Sequence, residues 1–298
     1  MLSVKLIVNP NAGKIRNHFV SLNKLTQKLN RKSILPEIIY TTPDMSDENR
    51  IMHNLLHRDA VIVCGGDGTL NKVITYMIKN NIYKPILLIP GGTANVFYLE
   101  KNLTSDLDQS IHTLLNGKKT PTDIGVVQHK KGINYFLLMV GIGLDAKAIN
   151  EVDPNVKRLL GKSTYLFSGV KNFITYKPKQ IHIQYGEKDL KHIHTVIISN
   201  SRLYGGNIDL FPEANMHDGL LDLCAFVPEN NVALLRSLVD IQFGRHIESP
   251  DLVYDKLEEA YIQSEENKKI PFQLDGEAIG NLPIKVSILK HRIDFILP

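Results

Sequence analysis

The pentapeptide Gly65-Gly66-Asp67-Gly68-Thr69 stands between the apolar run AVIVC at 60–64 and the helical pattern TLNKVITYMI. A strand, a glycine loop and a helix N-terminus together make an anion site. The glycines let backbone N–H groups approach a phosphate, and the helix dipole favours its charge. The loop is not a Walker A motif, because no Gly-Lys-Ser/Thr ending follows. Nor is it GxGxxG, since Asn71 stands where the third glycine would fall. The plainer alternative is a tight strand-to-helix turn without a ligand; three glycines around an acid favour the phosphate reading. A bare carboxylate at Asp67 would repel phosphate. It makes sense if it holds Mg²⁺ or accepts the proton of an attacking hydroxyl.

Other acids sit beside glycine. Asp275-Gly276-Glu277 follows the strand-like PFQLD. It reads equally as a turn presenting two carboxylates or as an ordinary Asp-Gly hairpin. Asp218-Gly219-Leu220-Leu221-Asp222 carries the same two readings. Gly141-Ile142-Gly143-Leu144-Asp145-Ala146 matches GxGxxA. A dinucleotide site also needs an acid about 20 residues on, ending a second parallel strand. The segment that follows has a helical pattern, which excludes that site. His192 and His194 share one face of a strand without an evident third ligand, so they read as packed or solvated histidines. The two cysteines, Cys64 and Cys224, form no CxxC pair.

These residues need elements to position them. Over the first 120 residues, strand patterns at 4–9, 34–42, 60–64 and 86–90 alternate with helical ones. Apolar Ile15, Phe19, Leu22, Leu25 and Leu29 mark one helix, and Ser46, Asp47 and Glu48 suit the start of another. This alternation predicts βαβ units: an α/β, doubly wound parallel sheet. After about residue 122 the pattern changes to successive strands, DIGVVQ, NYFLLMV, KQIHIQY, HTVIISN, GLLDLCAFV, EAYIQSE, PFQLD and IKVSILK. Helical patterns interrupt them near 153–176 and 230–243. The expectation is a second, β-rich, sandwich-like domain.

A length of 298 residues also favours two domains, at roughly 150 residues each. With 43% hydrophobic and 22% charged residues, the composition is globular and excludes disorder, collagen and a disulfide scaffold. The formal charge of +4 is mildly basic. It fits contact with an acidic membrane surface or a phosphorylated ligand, whereas the Lys pairs 118–119 and 130–131 are too sparse for nucleic acid. The longest apolar run, Tyr135–Val140, falls far short of the ~20 residues that span a bilayer. The opening residues lack the apolar stretch of about 7–15 residues of a secretory signal. The expected location is the cytoplasm.

Taken together, the motifs resemble those of the diacylglycerol kinase-like lipid kinase family, which includes bacterial lipid kinases and sphingosine kinases. Asn9-Pro10-Asn11-Ala12-Gly13 is similar to its NPxxG loop, Gly65–Thr69 to its GGDGT, and Pro90-Gly91-Gly92-Thr93-Ala94-Asn95 to its PxGTxN loop. Thr122-Asp123-Ile124-Gly125 resembles its domain-joining stretch, and Gly141–Ala146 its GxGxDA turn. Tyr204-Gly205-Gly206, Pro212, Ala214 and Asp218-Gly219-Leu220 follow its YGG…P.A…DG.L run, and Asp275-Gly276-Glu277 its DGE. GGDGT alone is shared with NAD kinases; seven motifs in order are far more specific.

The resemblance implies an ATP-dependent kinase acting on a lipid hydroxyl at a membrane surface. Residues 1–122, with a strand at about 290–298 returning to them, would bind ATP. Residues 123–289 would hold the lipid. Its ATP contacts would fall on Asn9, Pro10, Asn11, Ala12, Gly13, Thr41 (Thr42 being an adjacent rival), Gly65, Gly66, Asp67, Gly68, Thr69, Leu70, Asn71, Thr93 and Asn95. Asp67, Asp275 and Glu277 would form the catalytic set, and a Mg²⁺ would be held by the Asp218 carboxylate and flanking carbonyls, hence Asn215, Asp218 and Leu220. One position departs: many members carry Asn-Asp where this chain has Asn95-Val96. That Asp belongs to the metal network, so the Mg²⁺ site is expected to be weak unless another acid, such as Asp123, compensates. Two rival readings are an NAD kinase and a catalytically silent nucleotide- or lipid-binding regulator.

Overall fold

The computed structural model describes residues 2–13, 19–42, 47–92, 94–143, 179–227, 233, 236, 240–241, 244–266 and 268–298. Met1–Thr122 with His291–Pro298 form one compact unit, and Asp123–Lys290 the other.

In the first unit, strands β1 (Leu2–Val8), β2 (Ile34–Tyr40), β3 (Ala60–Gly65) and β4 (Ile86–Pro90) pair in the order β2-β1-β3-β4, all parallel. The end of the C-terminal strand adds to β4, Phe295 facing Ile86 in parallel. β3 and β4 are buried at every position, as continuous apolar strands covered on both faces must be. Alternate residues divide between the faces. Val4, Leu6, Val8, Ala60, Ile62 and Cys64 pack with Leu25 and Leu29 of helix Phe19–Arg31 and with Ile111 and Leu114 of helix Leu107–Asn116. The short helix Glu48–Met52 packs beside helix Asp67–Lys79.

The second unit is built of antiparallel strands. Its remaining strands are β5 (Lys118–His129, entering from the first unit), β6 (Gly132–Phe136), β7 (Met139–Gly143), β8 (Ile181–Tyr185), β9 (Lys188–Ile193), β10 (Thr195–Ser199), β11 (Leu203–Tyr204), β12 (Ile208–Asp209), β13 (Leu221–Phe226), β14 (Leu252–Leu257), β15 (Glu259–Ser264), β16 (Pro271–Leu274), β17 (Glu277–Asn281) and β18 (Ile284–Leu297, leaving to the first unit). One sheet runs β14-β13-β10-β7-β16-β17. The other layer contains β9, β8, β15 and the first half of β18, with the β5–β6 hairpin. Val140, Ile142, Ile198 and Leu223 from the first sheet meet Phe136, Ile183, Ile262 and Val286 from the second in one core, a β-sandwich. Gly125 is required here: a Cβ at this position would lie 2.0 Å from the Phe136 ring.

Two sequence expectations change. NYFLLMV is two strands, β6 and β7, broken at Leu137–Leu138. LVYDKL is the edge strand β14, paired with β13, which its mixed polarity hid. The helical pattern near 153–176 lies outside the described residues. The pattern near 230–243 is described at Ala233, Arg236, Asp240 and Ile241, all helical.

Candidate active site

In the first unit two glycine loops touch backbone to backbone. Gly65 ends β3, Gly66 is the N-cap of helix Asp67–Lys79, and no side chain caps that helix. Gly91 N–H donates to Gly65 O at 2.8 Å. A Cβ on Gly92 would stand 2.6 Å from Gly66 Cα, so position 92 admits only glycine without a backbone shift. Gly65 is equally constrained: its Cβ would meet the Thr69 side chain at 2.7 Å. Thr69 Oγ1 accepts from Asn9 Nδ2 at 2.9 Å, which ties the loop after β1 to the loop after β3. Asn9 Oδ1 in turn accepts from Asn11 N–H, and Ala12 is buried beneath that turn. Gly68 is exposed and Leu70 is core. Three loops at one end of a parallel sheet are thus locked to one another, the usual ligand end of such sheets.

Asp67 begins the helix rather than lying free in the loop. Its Oδ2 accepts from Val96 N–H at 2.8 Å and its Oδ1 from Phe97 N–H at 3.2 Å. Burial pushes its carboxyl above the usual range, although those two amides favour the charged form. Asn95 precedes the helix Val96–Glu100 in a left-handed conformation, φ 51°, and its Nδ2 donates to Gly92 O at 2.8 Å. Asn95 Oδ1 is buried with no hydrogen-bond partner among the described residues. Asn71 is half-buried on the first turns of helix Asp67–Lys79. Thr93 lies outside the described residues.

Thr41 follows β2, buried, its N–H on Val8 O. Beside it stands a group that sequence reading assigned only to a helix start. The Asp47 carboxylate is fully buried and accepts from Thr42 N–H (2.9 Å), Lys72 Nζ (2.7 Å) and Tyr76 Oη (3.2 Å). It makes no capping bond to its own helix. Burial alone would raise its pKa, but the Lys72 ammonium and the Thr42 amide hold it below the usual carboxylate range. Lys72 and Tyr76, four residues apart, share a helix face; that spacing was the one legible signal.

In the second unit the Asp275-Gly276-Glu277 turn joins β16 to β17. Asp275 adopts φ 47° and its carboxylate accepts three backbone N–H groups: Leu137 (2.8 Å), Leu138 (2.9 Å) and Met139 (2.9 Å). Glu277 is exposed at the first position of β17.

The loop before β13 is held by Asp123, which is fully buried: its Oδ2 accepts from Gly219 N–H at 2.7 Å and its N–H donates to Met216 O at 2.8 Å. Of the three residues assigned to Mg²⁺, Asn215 Oδ1 accepts from His217 N–H, and Leu220 N–H donates to Asp218 Oδ1. Asp218 Oδ2 accepts from Lys256 Nζ at 3.3 Å. One Asp218 oxygen is therefore on a backbone amide and the other on the Lys256 ammonium, so a positive charge already stands at this carboxylate. Asp123 does not supply a replacement ligand there, because its role is to clamp Gly219. Among the described residues no cluster of three or more His, Cys, Asp or Glu is arranged to hold a metal. Likewise, no described helix is long and apolar enough to cross a membrane.

Two locked glycine loops at one end of a parallel sheet, with a β-sandwich unit following in the chain, make a candidate phosphate site of the kind that kinases use. Residues 3–127 match the diacylglycerol kinase catalytic domain, and residues 138–297 match the YegS C-terminal NAD kinase beta sandwich-like domain. The chain belongs to this family of diacylglycerol and YegS-like lipid kinases, which are phosphotransferases. It is 30% identical over 245 residues to the probable lipid kinase YegS-like of Klebsiella pneumoniae, covering 82% of this chain and 79% of that protein. It is 27% identical over 242 residues to the diacylglycerol kinase of Bacillus subtilis, covering 80% and 78%. A putative diacylglycerol kinase of Bacillus anthracis has the same fold, with a TM-score of 0.80 over 99% of this chain and 95% of that one, at 22% identity.

Proposed function

We propose that the protein transfers the γ-phosphoryl group of ATP to the hydroxyl of a lipid, diacylglycerol or a close relative. The observation that carries this reading is the Gly66–Gly92 contact at the uncapped start of helix Asp67–Lys79. Two loops free of side-chain bulk there suit a polyphosphate held by amides and the helix dipole. Residues Gly65–Asn71 contain no cationic side chain. Mg²⁺ bound with the nucleotide would supply the neutralising charge.

In this reading Asn9–Gly13, Thr41, Gly65–Asn71 and Asn95 shape the ATP site, and Asp67 positions the second loop through Val96 and Phe97. The acceptor hydroxyl oxygen forms a bond to the γ-phosphorus as the bond from that phosphorus to the β–γ bridging oxygen breaks. ADP leaves, and the hydroxyl proton goes to a carboxylate. Asp275 already accepts three amides, whereas Glu277 is exposed, which favours Glu277 as the proton acceptor. The enzyme would work as a peripheral protein on the inner membrane face, its mild positive charge aiding contact with anionic lipid.

Incubation with γ-labelled ATP and micelles of diacylglycerol, monoacylglycerol, sphingosine, ceramide or phosphatidylglycerol, with NAD as a further acceptor, tests the reading. Label in a lipid is expected. Label in NAD alone, or ATP binding without transfer to any acceptor, would overturn it.

A further inference from the structure

Lys256 sits on β14 directly across from Asp222 of β13, an antiparallel register partner. Its ammonium donates to the Glu213 carbonyl at 2.8 Å and to Asp218 Oδ2 at 3.3 Å, and lies 4.0 Å from Asp222 Oδ1. These are a carbonyl and two carboxylates from three points along the loop Glu213–Asp222, the oxygen types that a hard cation collects. Tyr254, two residues earlier on the same strand face, donates its hydroxyl to Asp222 Oδ1 at 2.6 Å. Asp222 is fully buried and its Oδ2 has no hydrogen-bond partner among the described residues. The loop therefore carries a buried carboxylate and a half-buried one close together, and among the described residues Lys256 is the cation that approaches both, at 3.3 and 4.0 Å. An ammonium is a compact point charge with three donors, which lets it take the place of a small ion.

We propose that the Lys256 ammonium is a tethered counter-cation for the loop Glu213–Asp222, so that this unit holds its loop without a divalent ion. A lysine fixed to β14 is present at every Mg²⁺ concentration. The structural order of the loop is thereby uncoupled from the free Mg²⁺ level, and any Mg²⁺ requirement of the enzyme belongs to the nucleotide alone. The inference concerns folding of the second unit and stands apart from the choice of lipid.

Thermal unfolding of the nucleotide-free full chain, in EDTA and in millimolar Mg²⁺, tests it. Wild type should melt at the same temperature in both, with no saturable Mg²⁺ binding by calorimetry. Lys256→Met keeps the aliphatic stem and removes the charge. It should lower the melting temperature in EDTA by about 3–6 °C and regain much of this in Mg²⁺. Lys256→Arg should remain indifferent to the metal. If Lys256→Met is unfolded in EDTA, recovery of the folded state in Mg²⁺ supports the proposal, and failure in both media overturns it. Wild-type stabilisation by Mg²⁺ that Asp218→Asn abolishes would overturn it too, as would a Lys256→Met protein that melts like wild type.

Discussion

Asp67 Oδ2 accepts the backbone N–H of Val96 at 2.8 Å. The first residue of one glycine-loop helix therefore caps the start of another helix, 29 positions on in sequence. With Phe97 N–H on the second oxygen, one carboxylate satisfies two of the amides that helix Val96–Glu100 would otherwise leave open. The bond gives the acid of the pentapeptide a reason to be there before any metal or proton is considered.

Replacement of that acid should thus act on structure as well as on turnover. Asp67→Asn keeps one acceptor and turns an amide NH₂ toward the other donor. It should lose about 1–2 kcal/mol of stability, the usual cost of a lost cap, together with most of the activity. Urea unfolding and ATP turnover measured on the same preparation check this. An inactive variant of undiminished stability would return Asp67 to a purely chemical role.

Gly92→Ala probes the loop contact. The added methyl would meet Gly66 Cα at 2.6 Å and Asn95 Oδ1 at 2.7 Å, neither a side chain that can swing away. A destabilisation of about 1–3 kcal/mol and a weakened affinity for ATP should follow. Affinity unchanged in a folded Gly92→Ala protein would argue against nucleotide at these loops.

The two acids of the β16–β17 turn should separate cleanly. Glu277→Gln should lower kcat by about 10²–10⁴-fold with little change in melting temperature or in KM for ATP, as expected on loss of a general base. Asp275→Asn should instead lower the melting temperature, since three buried amides depend on that carboxylate. The reverse pattern would exchange their roles.

Asp47 makes stability depend on acid. Its folded carboxyl titrates below the ordinary value near 3.9, so the stability of its pair with Lys72 is fully present above that value. It is lost as pH falls through the lower, folded value. The stability gap between wild type and Asp47→Asn should be about 3 kcal/mol at neutral pH, as for other broken buried pairs, and should close in acid. Denaturant melts of both proteins along a pH series read the gap directly. A gap independent of pH would mean that Asp47 acts through packing alone.

Much of this architecture is written locally. β3, its glycine turn and helix Asp67–Lys79 follow from an uninterrupted apolar run, three glycines and a helical apolar period, signals that neighbouring residues set for one another. The same holds for the alternation of β1 to β4 with helices, which dictates a parallel sheet. The order of the motifs also pointed to the lipid-kinase family. Local pattern did not separate β6 from β7. The run Tyr135–Val140 is apolar throughout, and the break comes because the amides of Leu137–Met139 turn to Asp275, 136 or more positions away. Nor could it show that Asp218 pairs with Lys256, which depends on the register of β14 against β13. Sequence by itself determined the strands and glycine turns of the first unit, because backbone preference and apolar period act over a few residues. Tertiary structure alone decided which carboxylates were already taken, because each one, Asp47, Asp67, Asp123, Asp218 and Asp275, is satisfied by donors that the chain brings in from elsewhere.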